Sequence, residues 1–242
     1  MLKILSVSKT YAKSTFKAVD NLTLHAKKGV IYGFIGPNGA GKTTTIKMLT
    51  GILPFEEGSI EINGYDLKRD TINAKRSIGF VPDNHVIYEK LTGREYINFM
   101  ADIYKVDLRQ RKQLADKYLE MFNLTKDVDS QISSYSHGMK QKICVIGALI
   151  HNPPLWVLDE PLTGLDPQSA FELKNLMKEH TKEGNTVFFS THVLEVAEKL
   201  CDRIGIINKG QLILEGTMDE IKAMGQEGES LEQIFLRLTK RA

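Results

Sequence analysis

The order of apolar and polar residues predicts a chain that begins with strands, continues with helices and ends with alternating strands and helices. Short apolar segments bounded by turn residues predict five strands in the first third, at 2–7, 22–25, 30–35, 59–62 and 77–81. A helix is predicted at 41–49, between the third and fourth of these strands. Asn63-Gly64 favours a tight turn directly after the fourth strand.

The middle of the chain has the periodicity of helices. One helix face is predicted where apolar residues are spaced by 3, 1 and 3 positions, at Tyr96, Phe99, Met100 and Ile103. A second helix is predicted around Leu114, Tyr118, Met121 and Phe122. We therefore expect a helical insertion at 92–150.

Strands and helices alternate after Pro153-Pro154. Strands are predicted at 155–158, 186–190, 204–207 and 211–214, and helices at 167–180, at 192–200, from 218 and from 230. The continuous apolar run Val187-Phe188-Phe189 is typical of a parallel strand buried on both faces. The pattern predicts one domain, an α/β core with a strand-rich N-terminal layer, in which 1–91 and 151–242 flank the insertion.

Composition excludes several classes of protein. The chain has 242 residues, of which 42% are hydrophobic and 26% charged, and this excludes wholesale disorder. The longest apolar stretches, such as 143–150, are far shorter than the roughly 20 residues of a membrane helix. A net charge of +2 argues against nucleic-acid binding by bulk charge. We expect Cys144 and Cys201 to be reduced thiols, which favours a cytosolic compartment.

The strongest local motif is a phosphate-binding loop. Its residues match G-x-x-x-x-G-K-[ST] between a predicted strand and a predicted helix, and they are Gly36, Pro37, Asn38, Gly39, Ala40, Gly41, Lys42 and Thr43. Glycines allow successive backbone N–H groups to face one concavity, and the N-terminus of the following helix attracts anions. We expect the Lys42 ammonium to bind the β- and γ-phosphates and the Thr43 hydroxyl to bind Mg²⁺.

Two carboxylates and a histidine follow predicted strands. Asp159 and Glu160 directly follow the strand at 155–158. Taken alone, an Asp-Glu pair after a strand is often part of an exposed loop. Carboxyl ends of parallel strands share one edge with a phosphate loop, so we expect Asp159 to bind Mg²⁺ through water and Glu160 to polarise an attacking water. His192 follows another strand and could reach the γ-phosphate, although a lone histidine is more often structural or solvated than catalytic.

Together these motifs resemble the nucleotide-binding domain of the ATP-binding cassette family over nearly the whole chain. The segment Ser136-His137-Gly138-Met139-Lys140-Gln141 is similar to the family's signature L-S-G-G-Q, with Ser136 and Gly138 kept. The resemblance implies a P-loop NTPase (RecA-like) core with a mainly parallel sheet, an N-terminal antiparallel β subdomain and an inserted α-helical subdomain. It also implies an ATPase in which each MgATP lies between two cassettes associated head to tail. This form of the signature resembles the one found in exporters of drugs, lipids or polysaccharides.

The resemblance also implies roles for particular residues. Tyr11 matches the aromatic residue that stacks on adenine, and Thr44 extends the phosphate loop. Ser136 and Gly138 would contact the ATP of the other chain. Asp166 would pass signals between the two sites.

Lys42, Glu160 and His192 would be the catalytic residues. Asp83 stands where the family usually has glutamine, and we expect it to contact Mg²⁺ through water and to serve regulation and coupling.

The implied partners are ATP, a second ATP-binding subunit and separate integral-membrane permease subunits, at the cytoplasmic face of the membrane and without nucleic acid. The implied permease contact is a groove between the Asp83 segment and the helices of 92–122. One rival is a cassette ATPase acting on ribosomes or DNA, which 242 residues in a single cassette disfavour. A P-loop kinase would not explain 136–141, and binding without hydrolysis would not explain intact Lys42, Asp159, Glu160 and His192.

Overall fold

A six-stranded sheet forms the centre of the protein, whose computed structural model describes residues 1–12, 14–84, 87–224 and 229–241. Five of its strands are parallel and β10 is antiparallel to β9, in the order β10-β9-β3-β8-β7-β6. These strands are β3 (Ile31–Ile35), β6 (Ile78–Val81), β7 (Leu155–Asp159), β8 (Thr186–Thr191), β9 (Arg203–Asn208) and β10 (Gln211–Thr217). Because β3, β8 and β7 are neighbours, the loops that follow them meet at one edge of the sheet.

A second, antiparallel sheet contains the N-terminus. Its strands lie in the order β2-β1-β4-β5, and they are β1 (Leu2–Thr10), β2 (Lys17–Ala26), β4 (Glu57–Ile62) and β5 (Tyr65–Asp66). Asn63 and Gly64 have φ values of 52° and 89° and turn the chain from β4 into β5, which confirms the predicted tight turn. The predicted antiparallel layer is therefore present.

Among the described residues between β6 and β7 are three α-helices and one short 3₁₀ segment. They are α3 (Gly93–Ile103), α4 (Leu108–Met121), the 3₁₀ segment Ile132–Ser134 and α5 (His137–Leu149). Thr92 begins α3 with a capping box that it shares with Glu95, and the Asp107 carboxylate caps α4. Tyr96 and Ile97 of α3 are buried in the same hydrophobic cluster as Ile143 of α5. The insertion at 92–150 is helical as predicted, and its status as a separate subdomain stays a prediction.

Apolar strands account for the interior of the central sheet. Every residue of β3, β7 and β8 is buried, so these strands lack the alternation of a half-exposed strand. The Phe188 ring lies 5.4 Å from the rings of both Tyr32 and Phe34, which fixes β3 against β8 by aromatic packing.

The remaining helices cover the central sheet and lie at its ends. They are α1 (Lys42–Leu49), α2 (Thr71–Arg76), α6 (Pro167–Lys182), α7 (Leu194–Leu200), α8 (Met218–Ala223) and α9 (Leu231–Arg241). The sequence pattern did not predict α2 or β5. It also placed the start of the helix after β8 at His192, whereas α7 begins at Leu194, because β8 continues to Thr191 and the Thr191 hydroxyl accepts from the Val193 N–H at 3.0 Å.

Within the described ranges, no helix combines the length and the apolar character needed to cross a bilayer.

Candidate functional site

The loop 36–41 joins β3 to α1 and wraps closely around the start of the helix. Gly41 precedes α1 with φ +109°, and a Cβ placed there would lie 2.5 Å from the carbonyl oxygen of Ala18. Gly39 also has a positive φ, of 79°. A side chain at Gly41 would therefore be both strained and in collision, so this close approach of loop and β2 requires glycine.

Lys42 extends from the first residue of α1 into the concavity of the loop. Its side chain is buried, with 6% of the residue exposed. Nζ donates to the carbonyl oxygens of Gly36 at 2.8 Å and Pro37 at 3.3 Å, and it lies 3.6 Å from Oε1 of Glu160. Its charge is therefore satisfied by groups that surround the phosphate loop.

Asp159, the last residue of β7, is buried beside two hydroxyl groups. The Ser190 hydroxyl donates to Asp159 Oδ1 at 2.5 Å, and the Thr43 hydroxyl also bonds this carboxylate. Burial raises the pKa of Asp159, the two hydroxyl bonds oppose that rise, and the neighbouring Asp83 and Glu160 carboxylates add to it. Several acidic oxygens thus gather where a cation would stabilise them.

Glu160 follows directly and is held by its backbone as well as its side chain. Its φ is +49°, and its N–H donates to the Ser190 hydroxyl at 3.0 Å. Oε2 lies 3.0 Å from Nδ1 of His192, whose ring is half exposed. The carboxylate therefore lies between the Lys42 ammonium and the His192 imidazole, at the edge that the sheet topology brings together.

A cavity of about 240 Å³ lies in front of these groups. It is lined by Ala18, Asn38, Gly39, Gly41, Lys42, Thr43, Thr44, Asp83 and Glu160. Asp83 follows β6 and is exposed. The structure places this predicted residue at the same cavity as the phosphate loop.

A larger cavity, of about 550 Å³, adjoins the first and shares Ala18 and Gly39 with it. Tyr11, Phe16 and Lys209 are among the residues that line it. The Tyr11 hydroxyl lies 3.2 Å from the Thr44 hydroxyl, so either can donate to the other. A flat ring thus lies next to the phosphate loop, and stacking of Tyr11 on adenine stays a prediction.

Three other predicted residues lie on different elements. Ser136 caps α5 and accepts from the Met139 N–H at 3.3 Å, and Gly138 lies in the first turn of that helix. Asp166 caps α6 and accepts from the Ser169 N–H at 2.9 Å and hydroxyl at 2.5 Å. These bonds, with the nearby Lys142, hold the pKa of Asp166 well below its usual range. Neither Ser136 nor Gly138 is among the described residues that line the two cavities.

Sequence reasoning did not predict the role of Ser190. Its hydroxyl donates to Asp159 and accepts from the Glu160 backbone, because the register of β7 and β8 places Asp159 opposite Ser190. A small polar residue near the end of a buried strand was the signal in the sequence. Only the strand pairing shows what it contacts.

The donor set fits Mg²⁺ bound together with phosphates. Among the residues that the structure describes, no group of three or more His, Cys, Asp or Glu side chains could hold a metal by itself. The Thr43 hydroxyl, Asp159 and the nearby Asp83 instead supply a few oxygen ligands, which is the way Mg²⁺ binds when substrate phosphates and water complete its shell.

A glycine-rich loop between a buried strand and a helix, with a buried lysine and strand-end carboxylates, defines a P-loop nucleoside-triphosphatase. A family model described as ABC transporter matches residues 19–163. The chain is 38% identical over 221 residues to the linearmycin resistance ATP-binding protein LnrL of Bacillus subtilis (strain 168), covering 91% of this chain and 70% of LnrL. The chain belongs to the ABC transporter family.

Solved structures agree with this assignment. One described as the ATP-binding subunit of an ABC transporter has a TM-score of 0.94 and 33% identity, covering 99% of both chains. A dimeric ATP-binding cassette in a post-hydrolysis state, bound to ADP and Pi, has a TM-score of 0.81 and 26% identity, covering 90% of this chain and 99% of that one. The predicted family, fold class and ATPase function are confirmed: the chain is an ATP-binding subunit of this family.

Proposed function

We propose that this subunit hydrolyses MgATP at the edge formed by the phosphate loop, Glu160 and His192, and that hydrolysis drives export through separate membrane subunits. The observation that carries the proposal is the position of Glu160, with its carboxylate 3.6 Å from Lys42 Nζ and 3.0 Å from His192 Nδ1. A cation, a carboxylate and an imidazole beside one phosphate-sized cavity are the groups that phosphoryl transfer to water requires.

Lys42 binds and neutralises phosphates in this proposal. Its Nζ leaves the carbonyl oxygens of Gly36 and Pro37 and donates to the β- and γ-phosphate oxygens, which are better acceptors because they are charged. The backbone of residues 36–41 and the N-terminus of α1 supply further donors. ATP thus replaces internal partners of Lys42 without leaving the ammonium unpaired.

Glu160 orients and activates the attacking water, and His192 holds the Glu160 carboxylate in position. The Ser190 bond fixes the Glu160 backbone, and His192 contacts its Oε2 until the γ-phosphate offers the imidazole a second partner. A fixed base needs no reorganisation at the moment of reaction, which is the main contribution that an enzyme makes to this step.

Thr43, with Asp159 and Asp83 acting through water, would hold Mg²⁺. The cation supplies charge neutralisation on the phosphates. Asp159 interacts with the Thr43 hydroxyl, and the Asp159 and Asp83 carboxylates repel each other less when a cation lies between them.

Tyr11 would stack on the adenine ring in the larger cavity. Its bond to Thr44 connects the adenine subsite to the phosphate loop, so base and triphosphate are bound by adjoining parts of one surface.

A second ATP-binding subunit would complete the site. Ser136 and Gly138 lie at the exposed N-terminal end of α5, whose N–H groups favour anions. Neither lines the two cavities of its own chain, and this supports contact with the nucleotide of a partner. Asp166 would carry signals between the two sites. The dimer of the similar cassette in its post-hydrolysis state supports association of two cassettes.

An exposed apolar surface on α3 would bind the permease. Tyr88 is 61% exposed and its ring meets Phe99 edge-on at 5.4 Å, and Ile103, one turn further along α3, is 52% exposed. Tyr88 lies five residues after Asp83 in the chain, so a cytoplasmic segment of a membrane subunit docked there would bind close in sequence to a residue that lines the cavity. The subunit would then lie at the cytoplasmic face of the membrane, without a nucleic-acid partner. The resistance function named for LnrL supports export of a drug-like compound.

Glu160→Gln tests the proposal. The variant should bind ATP with a Kd close to that of the parent, hydrolyse it at least about 100-fold more slowly, and accumulate as an ATP-bound dimer on a sizing column. Glu120→Gln removes an exposed carboxylate from α4 and should change neither property. Parent-like turnover in Glu160→Gln contradicts the proposed role.

A further inference from the structure

The first turn of α5 packs against the loop that joins β7 to α6. Gly164, in the middle of this loop, has φ +80°, and a Cβ placed on it would lie 2.7 Å from Cδ2 and 3.0 Å from Nε2 of His137. The imidazole edge is therefore in direct contact with the Gly164 backbone. No other residue type fits at 164 while the ring keeps this position.

Two more residues of α5 hold the same loop. Gln141 is 1% exposed, and its Nε2 donates to the carbonyl oxygen of Pro161. The Lys142 ammonium lies 3.3 Å from Oδ2 of Asp166. Since His137 and Gln141 are four residues apart, they share one helix face, and α5 thus contacts the loop near its beginning, in its middle and at its end.

The loop begins at Glu160 and ends at Asp166. Its first turn is closed by a bond from the Thr163 N–H to the Glu160 carbonyl oxygen at 3.2 Å, so the backbone just before Gly164 is tied to Glu160. At the other end the Asp166 carboxylate caps α6. Gly164 therefore lies between a turn closed on Glu160 and the cap of α6.

We propose that His137 is a positioning residue for ATP hydrolysis, which acts by holding Gly164 and, through the loop, the Glu160 carboxylate. The inference rests on the proposed function, because it assigns the chemical step to Glu160. His137 directly follows Ser136, so the same turn of α5 that would face a partner's nucleotide also contacts the loop that carries this chain's own base.

A double-mutant cycle tests the contact. Gly164→Ala places a methyl group against the imidazole and should lower kcat about tenfold, and His137→Ala should lower kcat about fivefold, with the KM for ATP nearly unchanged in both. Because the collision disappears when the ring is absent, adding Gly164→Ala to His137→Ala should lower kcat by less than about twofold.

Two controls separate this role from general loss of structure. Gly184→Ala introduces alanine at a similar φ, +86°, where, apart from the adjacent residues, the described part of the chain has no atom within 4 Å of the added Cβ. It therefore reports backbone strain alone and should leave kcat unchanged. His137→Gln retains a planar group that reaches as far as Nε2 and should restore most of the kcat lost in His137→Ala. Because His137 is exposed, its variants should keep the parent's Tm.

Hydrogen exchange gives a readout that does not depend on turnover. Amides of residues 163–166 should exchange several-fold faster in His137→Ala than in the parent or in His137→Gln. Additive losses in the cycle, or equal exchange and kcat in His137→Ala and the parent, would overturn the role of His137 while leaving a positive Glu160→Gln result intact. Full turnover in Glu160→Gln would overturn both.

Discussion

The ammonium of Lys42 lies 3.6 Å from Oε1 of Glu160, although 118 residues separate the two in the chain. Both side chains are largely buried, so the contact forms away from bulk water. Lys42 also donates to the Gly36 carbonyl at 2.8 Å. The phosphate-binding cation and the proposed base therefore stabilise each other before nucleotide binds, and the phosphates must take over these partners.

Replacement of Lys42 should abolish most nucleotide affinity. In Lys42→Ala the described residues that line the smaller cavity include no cation. The loss of charge-assisted bonds should weaken ATP binding at least about 30-fold, measured by isothermal calorimetry. Lys47→Ala is the matched control, because Lys47 is exposed on the same helix. This variant should bind ATP with the affinity of the parent. Equal affinity in the two variants would show that the loop binds phosphates without Lys42.

The ring of Tyr11 should matter more than its hydroxyl. Stacking on a base requires only the aromatic face, so Tyr11→Phe should keep ATP affinity within about threefold of the parent, whereas Tyr11→Ala should lose about tenfold or more. The measurement is the Kd of a fluorescent ATP analogue. If Tyr11→Phe binds the analogue as weakly as Tyr11→Ala does, the hydrogen bond between Tyr11 and Thr44 is the essential interaction and stacking is not.

Asp83 should act in coupling and not in the chemical step. Its negative charge raises the pKa of Asp159, so Asp83→Asn removes a like charge near the Mg²⁺ ligands and should keep ATP affinity and basal turnover within about threefold. The rate increase caused by a co-expressed membrane subunit should fall much further. Basal ATPase rates and stimulated rates in vesicles check this.

Glu160→Gln is the variant to compare with Asp83→Asn, and it should abolish both the basal and the stimulated ATPase rate. Basal hydrolysis that stops as completely in Asp83→Asn as in Glu160→Gln would place Asp83 in the chemical step.

A buried histidine, His180, and a partly buried one, His151, should make the fold sensitive to mild acid. Burial lowers the pKa of His151 and of His180 to about 4, whereas the pKa of a histidine in the unfolded chain is about 6.5. The unfolded chain thus binds more protons between these values, and stability present above pH 6.5 is lost as the pH falls toward 4. From pH 7 to 5.5 each histidine should cost about 1 kcal/mol of unfolding free energy.

Urea unfolding at pH 8, 7 and 5.5 measures this effect. The step from pH 8 to 7 lies above the unfolded pKa and serves as the internal control, with little expected change. In the double variant His151→Phe/His180→Gln the loss between pH 7 and 5.5 should shrink by about 2 kcal/mol. An unchanged slope would assign the acid sensitivity to other groups.

The sequence by itself determined the local parts of this protein. The phosphate loop and the strand that ends at Asp159, directly before Glu160, each consist of contiguous residues, whose backbone preferences and spacing fix their shape. The buried parallel strands were predictable for the same reason, since burial on both faces requires continuous apolar residues. The short elements α2 and β5 were missed because six residues and two residues are too few to show a period.

The tertiary structure alone decided which of these parts meet. Strand order places β8 between β3 and β7, and only this order brings Ser190 to Asp159 and Glu160 to Lys42. The packing of His137 on Gly164 depends in the same way on how α5 crosses the loop after β7. Contacts between distant segments arise from the choice of neighbours in the sheet and from helix packing, and a pattern of apolar residues specifies which face is buried but not which partner covers it.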